Sequence, residues 1–251
     1  MKRIIIFLKR LLGLGKRVKL QLQSVPSIDY GTLNAQQRNA FDNILSACKS
    51  GSDTAEIPKL TQAEFDSVVS HIGLHFGTDF HFDHAAAYKE IAGKRQNTAV
   101  VNLDVYERAK AHKAELDARV DKALSSMREG SNESKLEQIA KYIANHGSYE
   151  YGTNNPLELL DGGGMCGAYA MLFYKMATRL GLQAYICYGY ASNGSFTGAH
   201  AWNKVELPEG VRYYDITFYD GTVRSRKWLG SVDGWGRVCC VNEKSALRKR
   251  G

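Results

Sequence analysis

A cysteine, a histidine and an aspartate stand in three separate motifs within residues 161–220, and these residue types suit nucleophilic catalysis. Cys166 follows three consecutive glycines and Met165, and an amphipathic helical pattern begins directly after it. A cysteine at a helix N-terminus lies among unpaired N–H groups at the positive end of the helix dipole, which favours thiolate over thiol. His200 and Asp215 follow in segments with strand character. Their order along the chain is therefore nucleophile, base and orienting carboxylate.

A predicted hairpin decides whether the histidine and the aspartate can meet. Its strands are predicted over Ala199–Leu207 and Val211–Phe218, with Pro208-Glu209-Gly210 between them. Facing residues of antiparallel strands point to the same side, and diagonal neighbours are within reach of long side chains. A register in which paired residue numbers sum to an odd total places His200 and Asp215 on one face. An even total places them on opposite faces unless a bulge intervenes, and the sequence leaves both registers open.

Three blocks of sequence resemble the transglutaminase-like superfamily, a papain-like branch of cysteine enzymes. They are Gly-Met-Cys-Gly-Ala-Tyr-Ala, Gly-Ala-His-Ala-Trp-Asn-Lys-Val and Tyr-Tyr-Asp-Ile-Thr-Phe-Tyr-Asp, in the order that the family shows. The resemblance extends from near Ser134 to the end of the chain. It implies a Cys166–His200–Asp215 triad. It does not specify the reaction, since relatives include protein cross-linkers, peptidases, amidases of glycan–Asn bonds and members with no known activity.

The predicted fold is α+β: a papain-like, transglutaminase-like core in which a Cys-bearing helix packs on an antiparallel sheet, after a helical N-terminal region. Three parts are predicted, namely a basic apolar segment (1–25), a mainly helical region (26–130) and the transglutaminase-like catalytic domain (131–251). Outside the motifs, helices are predicted over Asn34–Ala47, from a capping box at Thr61 to Val69 or Ile72, over Leu103–Met127, and from a capping box at Ser134 to about Asn145–Gly147.

The predicted function is cysteine-dependent acyl transfer on amide bonds of peptides or proteins through a thioester. The backbone N–H of Cys166 is one expected oxyanion donor, and the candidates for a second donor or for the cleft wall are Tyr149, Tyr151 and Trp202. Water as the second nucleophile gives a peptidase or amidase, whereas an amine gives a transglutaminase. The alternative is a catalytically silent module of the same fold that binds peptides or proteins.

The other cysteines and a group of histidines are interpreted as structural. The five cysteines are odd in number, and the adjacent pair Cys239-Cys240 has poor disulfide geometry, which favours a reducing, cytoplasmic location. A histidine-rich stretch contains His71, His75, His81 and His84 together with Asp79 and Asp83. Phenylalanines interleave with these residues and no known metal-ligand spacing is met. No metal and no cofactor are therefore expected.

The formal net charge of +7 is concentrated at the two ends of the chain. No nucleic-acid-binding motif accompanies this charge, so nucleic acid is not an expected partner. Near the start, Lys9 and Arg10 interrupt the apolar run, which argues against a cleavable signal peptide, and the run is too short to span a bilayer. Two interpretations of residues 1–25 stay open: a basic amphipathic helix in peripheral contact with a membrane, and an ordinary element packed on the domain.

Overall fold

The computed structural model of the chain describes residues 33–77, 98–192, 197–221 and 229–231. Several predicted features lie outside these residues, namely the basic segment 1–25, the histidines His81 and His84 with their two aspartates, and the cysteine pair Cys239-Cys240. The chain divides into two compact units, one of residues Tyr30–Ala118 and one that contains Arg119–Gly251. The division falls inside a single helix, Leu103–Ser125.

The first unit is mainly helical, as predicted. It contains α1 (Ala35–Ser50), β1 (Thr54–Glu56), α2 (Gln62–Phe76), β2 (Thr98–Val100) and the start of α3 (Leu103–Ser125), with β1 and β2 antiparallel. Both α1 and α2 begin at a capping box, because Asn34 pairs with Gln37 and Thr61 with Glu64 through reciprocal side-chain and backbone hydrogen bonds. Their inward faces form one apolar core whose innermost members include Ala40, Ile44, Phe65, Val68, Ile72 and Ala109.

The second unit combines helices with an antiparallel sheet, which confirms the predicted α+β class. After α3 it contains α4 (Asn132–His146), α5 (Pro156–Leu160), α6 (Cys166–Arg179), β3 (Gln183–Ser192), β4 (Thr197–Leu207), β5 (Gly210–Tyr214), α7 (Ile216–Gly221) and β6 (Leu229–Ser231). The sheet has the order β3-β4-β5-β6. Buried apolar residues of α6, among them Leu172, Phe173 and Met176, form the helix face that packs against the sheet and its neighbouring helices.

The start of α4 differs from its prediction. Ser131, not Ser134, is the N-cap, and its side chain accepts the backbone N–H of Ser134 at 3.2 Å. The capping box predicted at Ser134 is therefore wrong. Ser131 directly follows Gly130 and is the first residue there whose hydroxyl can cap a helix. The helix therefore starts three residues earlier than a cap at Ser134 would give.

The hairpin adopts the odd-total register. Leu207 pairs with Gly210 across the two-residue loop Pro208-Glu209, and Asn203 pairs with Tyr214 at the far end. The second strand is shorter than predicted, because β5 ends at Tyr214 and α7 follows, so the prediction of a strand through Phe218 is wrong. The reason lies in Asp215, whose side chain accepts the backbone N–H of Phe218 at 3.0 Å and thereby caps a helix.

Strand β4 has a partner on each side over only part of its length. β3 pairs with β4 from Thr197 to Glu206, whereas β5 pairs with it only from Asn203 to Leu207. Among the described residues, the stretch Thr197–Trp202 therefore has a strand on one side alone. Asn203 marks this change, and its buried amide donates to the carbonyl of Ala170 in α6 at 3.0 Å and to that of Tyr185 in β3 at 3.2 Å. These bonds attach α6 to the sheet next to the predicted site.

Candidate active site

Cys166 is the first residue of α6. The N-cap residue Met165 has extended backbone and makes no side-chain capping bond. Met165 O accepts the backbone N–H groups of Ala168 and Tyr169, while the N–H of Cys166 has no hydrogen-bond partner among the described residues. An N–H group left unpaired at a helix start is a donor that a ligand can use. The side chain of Cys166 is partly exposed, whereas Cys48 and Cys187 are buried.

The glycine turn before Cys166 packs closely on its surroundings. A Cβ at Gly164 would lie 3.0 Å from the Cβ of Ala168 and 3.2 Å from that of Leu159, so a larger residue would displace backbone-proximal atoms. Gly164 also exchanges hydrogen bonds with the segment before it, because its N–H donates to Ser148 O at 3.0 Å and its O accepts from Glu150 N–H at 3.1 Å. Glycine thus permits the close approach that sets the start of α6.

His200 and Asp215 are joined by a short hydrogen bond. His200 Nε2 lies 2.7 Å from Asp215 Oδ2, and both side chains are buried. The other carboxylate oxygen of Asp215 accepts the N–H of Phe218, so both oxygens have partners. Two aromatic rings enclose the imidazole: the Trp202 ring lies parallel to it with centroids 6.0 Å apart, and the Phe218 ring meets it edge-on at 5.0 Å. The imidazole is therefore held in one orientation.

His200 also forms a hydrogen bond with the thiol of Cys166. Because Nε2 serves Asp215, the nitrogen that faces Sγ is Nδ1. A second donor to Sγ is the backbone N–H of Ala201. This N–H is available because β5 does not extend along β4 beyond Asn203. The nucleophile thus approaches β4 at the edge that the departure of β5 leaves open.

These contacts shift the pKa values of the pair in opposite directions. Burial disfavours the thiolate, but hydrogen bonding to His200, the imidazolium charge and the Ala201 N–H outweigh burial and lower the pKa of Cys166 below its ordinary value. For His200 burial favours the neutral ring, and the Asp215 carboxylate with its hydrogen bond outweighs burial and raises the pKa well above its usual range. Both shifts favour a thiolate–imidazolium pair, which is the reactive form of a cysteine nucleophile.

The three candidates for a second oxyanion donor lie in different environments. The Tyr149 ring is partly buried; burial, followed by the proximity of Cys166, raises the pKa of its phenol. Tyr151 packs edge-on against Tyr149 and is 67% exposed. Trp202 is buried behind His200, and its Nε1 has no hydrogen-bond partner among the described residues. A buried indole N–H is out of reach of a substrate carbonyl in this arrangement, so the phenol of Tyr149 is the better placed of the three.

Several contributors to the site could not be identified from the sequence. The backbone of Ala201, the ring of Phe218 and the amide of Asn203 hold the triad in place, but none belongs to a residue type that signals catalysis. Tyr169 donates its hydroxyl to Asp220 at 2.8 Å, a bond that ties α6 to α7.

The structure gives no support to a metal site in the part of the chain that it describes, where no group of three or more His, Cys, Asp or Glu side chains could hold an ion. His71 Nδ1 lies 2.9 Å from the carbonyl of Ser67, and the His75 ring packs edge-on against Phe41 and Phe76. Within the same described ranges, no helix is long and apolar enough to cross a membrane.

Comparison with known proteins agrees with the resemblance. Residues 119–217 match the transglutaminase-like superfamily. No curated protein matches the chain. One similar solved structure is a candidate cysteine protease from Cytophaga hutchinsonii, with 19% sequence identity and a TM-score of 0.36 over 47% of this chain and 41% of that one. Another is a TGase, with 18% sequence identity and a TM-score of 0.38 over 61% of this chain and 44% of that one. The chain therefore spans less than half the length of either. The match over 119–217 includes Cys166, His200 and Asp215, and this part of the chain is a transglutaminase-like domain.

Proposed function

We propose that this protein is a cysteine-dependent acyltransferase that cleaves amide bonds of peptides or proteins through a thioester. One observation carries the proposal: a continuous chain of hydrogen bonds runs from Cys166 to His200 and on to Asp215. The Cys166 thiol is partly exposed at a helix start, and its pKa is lowered by the imidazole. A cysteine kept only for packing would need neither feature, because buried structural thiols have raised pKa values, as Cys48 does.

The reaction has two steps. In the first, Cys166 Sγ attacks the amide carbonyl carbon, the C=O electron pair moves to oxygen, and the imidazolium of His200 gives its proton to the departing amine as the C–N bond breaks. In the second, neutral His200 takes a proton from the acyl acceptor, whose oxygen or nitrogen attacks the thioester, and the C–S bond breaks. Asp215 stabilises the imidazolium throughout and holds Nδ1 toward sulfur.

The acyl acceptor decides between hydrolysis and cross-linking. With water the product is a carboxylic acid, as in a peptidase or amidase; with a primary amine it is a new amide, as in a transglutaminase. The substrate class that we propose is a peptide or protein, in line with the transglutaminase-like superfamily that residues 119–217 match.

The test is incubation of the full chain with a mixture of peptides and an excess of a primary amine, followed by mass spectrometry of peptides and protein. We expect acid or amine products together with an acyl adduct on Cys166, and neither with Cys166→Ala. Cys48→Ala, which removes a buried thiol, should behave as wild type. Peptide binding with no adduct and no product would contradict the proposal and would favour a silent binding module instead.

A further inference from the structure

A loop that carries no predicted catalytic residue is fixed against the start of α6. Thr153 O accepts the backbone N–H of Met165 at 2.8 Å, which joins the loop to the residue before Cys166. Thr153 Oγ1 accepts the N–H of Asn155 at 2.9 Å, and Asn155 Oδ1 in turn accepts the N–H of Leu157 in the first turn of α5. The loop is thus anchored on both sides of one residue, Asn154.

The side chain of Asn154 covers the residue next to the nucleophile. A Cβ built on Gly167 would lie 2.4 Å from Asn154 Oδ1 and 2.7 Å from Cγ, both far inside contact distance. Glycine at position 167, in the first turn of α6, is what lets the carboxamide reach the helix start. Rotation about the last side-chain bond exchanges the oxygen and the NH₂ group of an amide, so either can face the site.

The side-chain amide of Asn154 is also not used to hold the loop together. Among the residues that the structure describes, no hydrogen bond to its side chain is formed, although the side chain is only partly exposed. Its neighbour provides the contrast, because both ends of the Asn155 amide are used, Oδ1 by Leu157 N–H and Nδ2 by Glu158 Oε1 at 3.2 Å. A positioned donor with no internal partner, one residue from Cys166, is suited to bind a substrate atom.

We infer that the Asn154 amide donates from Nδ2 to the carbonyl oxygen of the acyl group that Cys166 attacks. It would be the second donor beside the unpaired backbone N–H of Cys166. The inference rests on the proposed acyl transfer and adds a catalytic residue to it. As Sγ bonds to the carbonyl carbon, the C=O electron pair becomes an oxyanion, and two N–H groups stabilise that charge without giving up their protons. This assigns to Asn154 the role that the sequence suggested for Tyr149, Tyr151 or Trp202.

Two reactions of the same thiol test the assignment. Alkylation by iodoacetamide proceeds at a saturated carbon and develops no oxyanion, so its rate reports the Cys166–His200 pair alone. Acetylation by p-nitrophenyl acetate passes through an oxyanion and releases p-nitrophenolate, which is followed by absorbance. For Asn154→Ala we expect acetylation to slow by about 10²–10³-fold, with alkylation unchanged. Gly167→Ala should act in the same direction, because the new methyl group displaces the amide while alanine suits the helix.

The controls separate the outcomes. Asn155→Ala removes a neighbouring amide that caps α5, so any effect of it should fall equally on both rates. The assignment is overturned if Asn154→Ala leaves acetylation unchanged, if it slows both reactions equally, or if Tyr149→Phe alone produces the selective loss. Absence of acetylation in the wild-type chain would instead contradict the proposed function itself. Circular dichroism of each variant confirms that the fold is retained.

Discussion

Asp215 holds two parts of the site at once. Oδ2 accepts the proton of His200 Nε2, while Oδ1 accepts the backbone N–H of Phe218, whose ring lies edge-on against the same imidazole. The Asp215 carboxylate therefore fixes both the imidazole and the first turn of α7, and α7 places the Phe218 ring against the imidazole. Asparagine has the same shape and could make similar hydrogen bonds, but it lacks the negative charge of Asp215.

Asp215→Asn should keep the fold and greatly slow the chemistry. Asparagine is as good an N-cap as aspartate, so its oxygen can still accept the Phe218 N–H. Its NH₂ group then faces His200 Nε2, where it opposes the protonated ring instead of stabilising it. We expect turnover and the alkylation rate of Cys166 to fall by roughly two to four powers of ten, the upper figure being the effect of the equivalent change in a serine-protease triad.

Glu206→Gln is the matched control for this change. Glu206 lies on the neighbouring strand, is paired with Lys204 at 3.0 Å, and is 40% exposed at its side chain. Removing one exposed charge should leave alkylation unaffected and alter the free energy of unfolding by less than about 0.5 kcal/mol. Equal alkylation rates in Asp215→Asn, Glu206→Gln and wild type would show that Asp215 does not support the ion pair.

The opposed pKa shifts predict the pH range of the reactive pair. The lowered pKa of Cys166 means that the thiolate contributes stability above the ordinary thiol pKa and loses it as the pH falls through the lowered value. The raised pKa of His200 means that its proton contributes stability below the ordinary histidine pKa and loses it as the pH rises through the raised value. The ion pair is therefore populated between the two shifted values.

Alkylation of Cys166 should accordingly reach half its maximum at a pH below the ordinary thiol pKa of about 8.5. Cys48 is an internal reference, since burial raises its pKa and it should react slowly over the whole range. His200→Ala should move the Cys166 midpoint upward, because burial remains while the cation is lost. The measurement is site-resolved mass spectrometry after brief iodoacetamide treatment at a series of pH values. A Cys166 midpoint at or above that of Cys48 would exclude the ion pair.

At the scale of the elements, the site forms where β5 leaves β4. β5 pairs with β4 only up to Asn203, and the N–H of Ala201 just beyond that point donates to Cys166 Sγ. Asn203 at the branch point bonds to the carbonyls of Ala170 and Tyr185 and so fixes α6 relative to the strands. The position of the nucleophile therefore depends on a residue that never contacts it.

Asn203→Ala should loosen this attachment. The substitution removes two buried hydrogen bonds and leaves a small void, although it also removes Oδ1, a buried acceptor without a partner among the described residues. We expect a loss of about 1–3 kcal/mol in the free energy of unfolding and slower alkylation of Cys166, measured by urea unfolding and by labelling. Asn132→Ala, at the partly exposed start of α4, is the control and should change neither. Full stability in Asn203→Ala would show that packing alone holds α6.

The sequence was most informative where local chemistry decides the structure. The helix after Cys166, the hairpin turn near Pro208-Glu209-Gly210 and the capping box at Thr61 all follow from residue types at short spacing, and the structure contains them. It was least informative where one residue has two uses. Asp215 ends a strand-forming aromatic run, so the pattern favoured a longer strand, and only the capping bond to Phe218 shows why the chain turns.

Contacts between distant segments were also beyond the sequence. Alternation alone does not distinguish odd from even pairing, so the sequence leaves the register of the hairpin open. Ala201 contributes a backbone N–H, which any residue would supply, and Asn154 approaches Gly167 only because the loop is held by Met165. The three-motif order predicted Cys166, His200 and Asp215 as site residues, but the groups that surround them needed the fold.

At the scale of the whole chain, metal removal should have no effect. In the described part of the histidine-rich stretch, His71 bonds to a backbone carbonyl of its own helix and His75 packs among aromatic rings. Treatment with a chelator should therefore leave both the thermal unfolding midpoint and the alkylation rate of Cys166 unchanged. Elemental analysis of the purified protein is the independent measurement. A stoichiometric metal, or a lower unfolding midpoint after chelation, would contradict the structural interpretation of these histidines.

The charge distribution over the whole chain predicts where an anionic surface would bind. Residues 1–25 hold seven lysines and arginines and no acidic residue, and the chain has a net charge of +7, so residues 26–251 are formally neutral. Each cation near an anionic membrane contributes about 1 kcal/mol, and the attraction is screened by salt. We expect the full chain to cosediment with phosphatidylserine vesicles at low salt and a chain lacking residues 1–25 to stay in solution, with equal Cys166 alkylation in both. Equal vesicle binding by the two chains would show that residues outside 1–25 attract the membrane. Absence of binding by both chains would favour the other interpretation of residues 1–25, an ordinary element packed on the domain.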